Sequence, residues 1–187
     1  MSEIQDSVDP PVEQAVDQAT VIAEPTIDPE RVQAFVAELQ AQQSLMGAIG
    51  GGFISSIAGA VIWAVVTVLT KYQIGWMAVG VGFLVGLAIR KYGKGLTPLY
   101  GVIGAVLSLF GCLLGNILSL GGFLAEKQGL PVMHAELMLL INPAAVAELL
   151  TATFDPRDVL FYAIAVYEGY RFSFRQISEG ELAALTQ

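Results

Sequence analysis

Charge is what this chain has little of. Of its 187 residues only 14 % are charged, where a soluble domain carries roughly a quarter, and 55 % are hydrophobic. Mean hydropathy is +0.64. A single cysteine excludes a disulfide framework or a Cys-rich zinc site within one chain, and a single histidine excludes a multi-histidine metal site. Ser55 and Ser56 stand outside any Gly-x-Ser-x-Gly context and have no lysine partner in sequence. No catalytic, cofactor-binding or metal-ligating residue is therefore assigned, and no cofactor is expected.

The charge that is present is unevenly placed. Residues 1–44 hold nine acids and one base, Arg31, so the whole net charge of −8 lies in this segment. Residues 45–187 hold eight acids and eight bases. An acidic tail offers no electrostatic attraction to nucleic acid or anionic lipid. The same segment lacks the basic start of a signal peptide, and its first apolar run comes too late for one. Residues 1–27 contain Pro10, Pro11 and Pro25 and no aromatic residue, a composition that predicts a disordered acidic tail. Asp28-Pro29-Glu30 reads as a helix start, and Val32, Phe35, Val36 and Leu39 share one face. Residues 28–44 are thus expected to form a short amphipathic helix, either a membrane-proximal linker or a partner-binding element.

Three long uncharged runs follow, at residues 39–70, 72–89 and 95–125. About 20 apolar residues cross a hydrocarbon core. The first run places a span near 47–69, closed by Lys71. The second is 18 residues long, has Tyr72 and Trp76 at one end, and is closed by Arg90, Lys91 and Lys94, with Gly93 and Gly95 making the turn. The third, 31 residues, exceeds one span and is expected to tilt, bend or leave the bilayer. Residues 45–125 therefore form a three-span core.

Residues 126–156 are broken by Gly129, Pro131 and Asn142-Pro143 into segments too short to span. Interfacial helices outside the cytoplasm fit them, with a re-entrant pair as the alternative. Asp155-Pro156 caps a last helix with only nine uncharged residues between Asp158 and Glu168. At about 1.5 Å per residue these rise about 14 Å. Residues 157–178 form a fourth span only if Glu168 is accepted at depth and Arg171 snorkels; otherwise the helix is interfacial. Residues 179–187 are a C-terminal tail. The fold class is all-α: a helical integral membrane protein with three to four transmembrane helices plus short interfacial helices. Six bases (Arg31, Arg90, Lys91, Lys94, Arg171, Arg175) fall on one side of this arrangement and three (Lys71, Lys127, Arg157) on the other. The positive-inside rule then puts the N-terminus in the cytoplasm.

Small residues recur four apart: Gly47 with Gly51, Ala60 with Ala64, Ala78 with Gly82 and Gly86, and Gly111 with Gly115. Such faces let helix backbones approach closely in lipid, within one chain or between two. Three polar residues stand out. Glu168 and Arg171, three apart on a helix, can pair at the interface, or Glu168 can serve as an intramembrane proton or cation site. Asn116 lies inside the third span and can bridge helices. Cys112 reads as an apolar filler, and His134 as an interfacial residue without a metal partner.

Residues 72–86, YQIGWMAVGVGFLVG, resemble a block found in a group of uncharacterised multi-pass bacterial membrane proteins. Residues 59–64, 93–95 and 101–115 are similar to the same group, which is matched over about residues 45–120 with a weaker echo at 160–174. The resemblance implies a bacterial membrane location and carries over no functional residue. Together these readings lead to an expected function: a non-enzymatic integral membrane subunit or scaffold that self-associates or joins a membrane complex, its partners being the lipid bilayer, a second copy or other membrane proteins, with no nucleic acid. The alternative is a small-solute or proton pathway through Glu168 and Asn116.

Overall fold

The computed structural model describes residues 28–153 and 155–183. The expected acidic tail at 1–27 lies outside them. Of the described residues 84 % are helical. The described residues form eight helices and no strand: α1 Pro29–Ala41, α2 Leu45–Thr70, α3 Trp76–Gly93, α4 Pro98–Gln128, α5 Val132–Leu140, α6 Pro143–Thr153, α7 Pro156–Phe172 and α8 Glu179–Ala183.

The helix starts follow local chemistry. The Asp28 carboxylate accepts from the Glu30 amide at 2.9 Å, and Asn142 Oδ1 accepts from the Ala145 amide at 3.1 Å. Asp155 and Asp158 form a reciprocal capping box at the start of α7. A proline occupies the first helical position of α1, α4, α6 and α7, where its missing N–H costs nothing. Hydrogen bonds from the Arg157 side chain and backbone hold the Asp155 carboxyl down at about 2.

Two boundaries differ from the sequence expectation. The second span begins at Trp76 rather than Tyr72, because Lys71 adopts a left-handed conformation (φ 61°) and the chain crosses the end of the bundle before coiling again. The turn after α3 is made by Lys94 (φ 50°), not by the neighbouring glycines. Gly93 is helical and is glycine for space: a Cβ there would lie 2.7 Å from the Ala48 methyl and 3.1 Å from the Tyr100 ring.

Helices α2, α3, α4 and α7 form a bundle in which α2 runs parallel to α4, α3 parallel to α7, and the two pairs oppose each other. Helix α3 packs on α2, α4 and α7, and α4 packs on α2 and α7, so α2 and α7 occupy opposite corners. At one end Ser44 N–H donates to Gly93 O and Arg175 N–H to Gly95 O, both at 2.9 Å. Arg175 also donates to Gln42 and Glu181, drawing α1 and α8 to that end. At the other end Lys71 pairs with Glu126, joining the ends of α2 and α4.

The bundle packs many small residues and a few polar ones around a core of Trp63, Val81, Val85, Ile89 and Tyr100, and its outside is apolar and bulky. Helix α2 buries Ser56, Gly59, Ala60, Trp63 and Thr67 and exposes Met46, Ile54, Ile62, Val65 and Leu69. Helix α4 buries Gly104, Ser108, Gly111, Cys112, Gly115, Asn116 and Ser119 and exposes Val102, Val106, Leu109 and Phe110. The apolar exterior is the reverse of a water-soluble bundle's, whose outer face is polar. It is what a lipid solvent selects, because association there depends on close packing and interhelical hydrogen bonds. At 26 and 31 residues, α2 and α4 are long and apolar enough to cross a membrane. Their lengths are about 39 and 46 Å against a core of about 30 Å, so α4 has turns to spare outside the hydrocarbon. Helices α5 and α6, nine and eleven residues long, are too short to span singly and are bent by 103° relative to each other.

Candidate functional site

The densest group of polar side chains inside the bundle lies toward the Lys71 end. Asn116 on α4 is its centre and is buried. Gln73 Nε2 donates to Asn116 Oδ1 at 3.0 Å, and Asn116 Nδ2 donates to the Tyr162 hydroxyl at 3.0 Å. Gln73 reaches inward because the left-handed Lys71 turns the α2–α3 connection over the bundle end. Tyr162 comes from α7, and its ring meets the Trp63 ring of α2 edge-on, with centroids 6.4 Å apart. One loop and two helices are thereby joined by two hydrogen bonds, and the fourth corner is reached through an aromatic contact. Each interhelical hydrogen bond of this kind contributes about 1 kcal/mol in a membrane.

Around this chain of contacts the buried polar groups are neutral. Ser119 Oγ donates to Gly115 O at 2.7 Å, while Trp63 Nε1 and Thr67 Oγ1 have no protein partner among the described residues. Cys112, one turn before Asn116, packs with Sγ 3.8 Å from Ala78 O. Amides, a phenol, an indole and hydroxyls can orient a ligand or lock helices. They supply no base to activate a nucleophile. Among the described residues no group of three or more His, Cys, Asp or Glu side chains could hold a metal ion.

The small residues singled out in the sequence are placed as packing contacts within the chain. A Cβ at Gly82 would overlap the Ala165 carbonyl of α7 and lie 2.8 Å from its Cα; one at Gly86 would lie 2.8 Å from Phe172 Cβ. Gly111 faces Ser56 and Val81, and Gly115 faces Ala60 and Trp63, at the α2–α4 seam. Gly47 and Gly51 lie under Tyr92 of α3, and Ala78 is fully buried. Two glycines not singled out above make a further close crossing: Gly104 of α4 and Gly169 of α7 face each other, and a Cβ on Gly169 would lie 2.7 Å from Gly104 O. Gly169 stands between Ala165 and Ser173, each four residues away, a small-residue repeat that the sequence carried and the reading above did not single out.

Glu168 and Arg171 are not brought together. Arg171 donates to the Tyr167 hydroxyl at 3.1 Å and lies over the same ring, four residues back along α7. The ion pairs among the described residues are Lys71–Glu126, Arg157–Asp155 and Arg175–Glu181. The expected Glu168–Arg171 pair is replaced because the phenol and ring of Tyr167 together engage the guanidinium one turn away. Glu168 is half-buried on α7, with its backbone carbonyl against the Gly86 position. It and Asn116 belong to different contacts: Asn116 is tied to Gln73 and Tyr162, near the start of α7, not to Glu168 near its end. His134 is exposed on α5.

No family model matches this chain, and neither a curated protein nor a solved structure matches it. The site must therefore be read from its own chemistry. Sequence reasoning singled out Asn116 but not Gln73 or Tyr162, which carry its two hydrogen bonds. Gln73 lies at the end of an uncharged run, and Tyr162 lies inside a short run flanked by tyrosines that read as ordinary interfacial residues.

Proposed function

We propose that this chain is a non-enzymatic multi-pass subunit or scaffold of a bacterial inner membrane, crossing it with α2, α3, α4 and α7. Its N-terminal end is cytoplasmic. The observation that carries the reading is that the bundle uses its glycine faces and its central amide on itself. Asn116 is satisfied by Gln73 and Tyr162, and the glycine faces of α3 and α4 are filled by α7 and α2. What remains for a partner is the periphery: α1 and α8 at one end, and α5 with α6 at the other. Because the glycine faces are occupied, another membrane protein is favoured over a glycine-mediated second copy.

The orientation is supported by charge. Arg90, Lys91, Lys94, Arg171 and Arg175 gather at one end of the bundle, where Arg31 of α1 also belongs, while Lys71, Lys127 and Arg157 belong to the other. A solute or proton pathway through Asn116 and Glu168 is the weaker reading, because Asn116 is committed to two protein partners. The test is affinity capture from mild detergent followed by mass determination of the complex. The expected result is a stoichiometric complex heavier than the 19.8 kDa chain. A monodisperse single chain, or carboxylate-dependent proton flux in liposomes that Glu168→Gln abolishes, would overturn the proposal.

A further inference from the structure

Helix α5 lies against α4, and between α2, α4 and α5 the bundle leaves a cleft of about 460 Å³. This lies within the roughly 300–1,000 Å³ usual for small-molecule sites. Its walls include Val65, Val68, Leu118 and Met133, and every lining residue is apolar except Glu136 of α5. The Glu136 carboxyl rests on α4 at Gly121, where a Cβ would overlap it, so the absent side chain is what admits the acid. No ion pair or hydrogen bond engages this carboxyl among the described residues. Lys71, just after α2, and Glu126 of α4 line the adjoining hollow and are paired with each other; the other charges on the helices packed against α5 are Lys127 of α4 and Glu148 of α6. Helix α5 adds only the exposed His134 within one turn. A lone acid on an apolar cleft calls for a cation that brings its own apolar body.

We propose that this cleft binds a single-chain amphiphile with a protonated amine head, the chain lying between α2 and α4 and the ammonium on the Glu136 carboxylate. A zwitterionic or anionic lipid fits less well, because its phosphate would be held beside an unpaired carboxylate. The inference needs only the membrane location of α2 and α4. Burial raises the Glu136 carboxyl to about 7. Protons therefore compete with the amine for the same oxygen atoms, and affinity should fall roughly tenfold per pH unit below that value.

The test uses the full chain in phosphatidylcholine nanodiscs, with dodecylamine as probe. Modification of Glu136 by an apolar carbodiimide, which requires the protonated acid, is followed by mass as the loss of unmodified chain, so that an amide formed when the amine displaces the urea also counts as modification. Dodecylamine should slow the modification at least tenfold at pH 7.5, and markedly less at pH 5.5. Dodecanol, with the same chain and no charge, should slow it less than twofold. Leu118→Trp fills the cleft and leaves Glu136 in place, so it should be modified but not protected. Equal protection by dodecanol would overturn the role of the carboxylate, and protection that survives Leu118→Trp would overturn the cleft. Protection by phosphatidylethanolamine in the nanodisc equal to that by dodecylamine would overturn the single-chain assignment. A failure of all protection refutes the site while leaving the captured complex of the subunit reading untouched.

Discussion

The α3–α7–α4 seam and the α4–α5 contact are both built on glycine, but for opposite purposes. At the seam, Gly82, Gly104 and Gly169 remove side chains so that one backbone can lie on another. At the α4–α5 contact, Gly121 removes a side chain so that the flexible end of Glu136 can lie on a backbone. The first arrangement has no slack, because neither partner can rotate away. The second can give, since a carboxyl turns about its own torsions. The same residue type in the same helix thus marks a rigid joint in one place and an adjustable one in another.

The largest break in this comparison should come from the seam. Gly82→Leu puts a branched side chain into the Ala165 backbone, and overpacking of this kind costs about 1–3 kcal/mol. Thermal unfolding in mild detergent should show the loss clearly, and wild-type stability would remove the backbone-contact argument. Next, Asn116→Leu deletes both hydrogen bonds of the polar cluster and leaves Tyr162 and Gln73 to find other partners. A loss of about 1–2 kcal/mol is expected in the same measurement, with Tyr162→Phe costing less than half of that.

A pH series sharpens the adjustable side. The Glu136 carboxyl is raised from the usual 4.5 to about 7 by burial. The folded chain therefore binds this proton more tightly than the unfolded chain does, so stability declines as pH rises from 4.5 through 7. Glu136→Gln, the neutral isostere, should flatten that decline; an unchanged slope would show that another group titrates. The smallest effect should come from Gly121→Ala, where the added methyl meets only a movable carboxyl and helix propensity favours alanine. No loss of stability is expected, and a cost as large as that of Gly82→Leu would erase the distinction between the two contacts.

Much of the architecture was legible along the chain. Caps at Asp28, Asn142 and Asp155 start helices where they were expected, because capping depends on residues within one turn. The break at 126–156 into short helices was likewise visible from its prolines. The α3 start was not, since Tyr72 and Gln73 belong to an apolar run whose coil state is imposed by the left-handed Lys71. Of the candidate polar site, Asn116 stood out as a lone amide in a span, while the Glu168–Arg171 pairing followed from spacing alone and lost to Tyr167. Spacing says which side chains can meet on a helix; several can, and the geometry of each rotamer chooses between them.

What the sequence determined by itself is the solvent its helices suit; its uneven bases give the orientation proposed above. Too few charges for water, uncharged runs long enough for lipid, an acidic N-terminal segment and an uneven distribution of bases are properties of composition and order, and no fold is needed to read them. What only the tertiary structure decided is which face meets which: Gly104 with Gly169, Gln73 and Tyr162 with Asn116, and Glu136 with Gly121. Helical periodicity assigns each residue to a face, but in lipid several small, weakly polar faces are nearly equivalent partners. The choice among them is made by packing distances that exist only once four helices are in place.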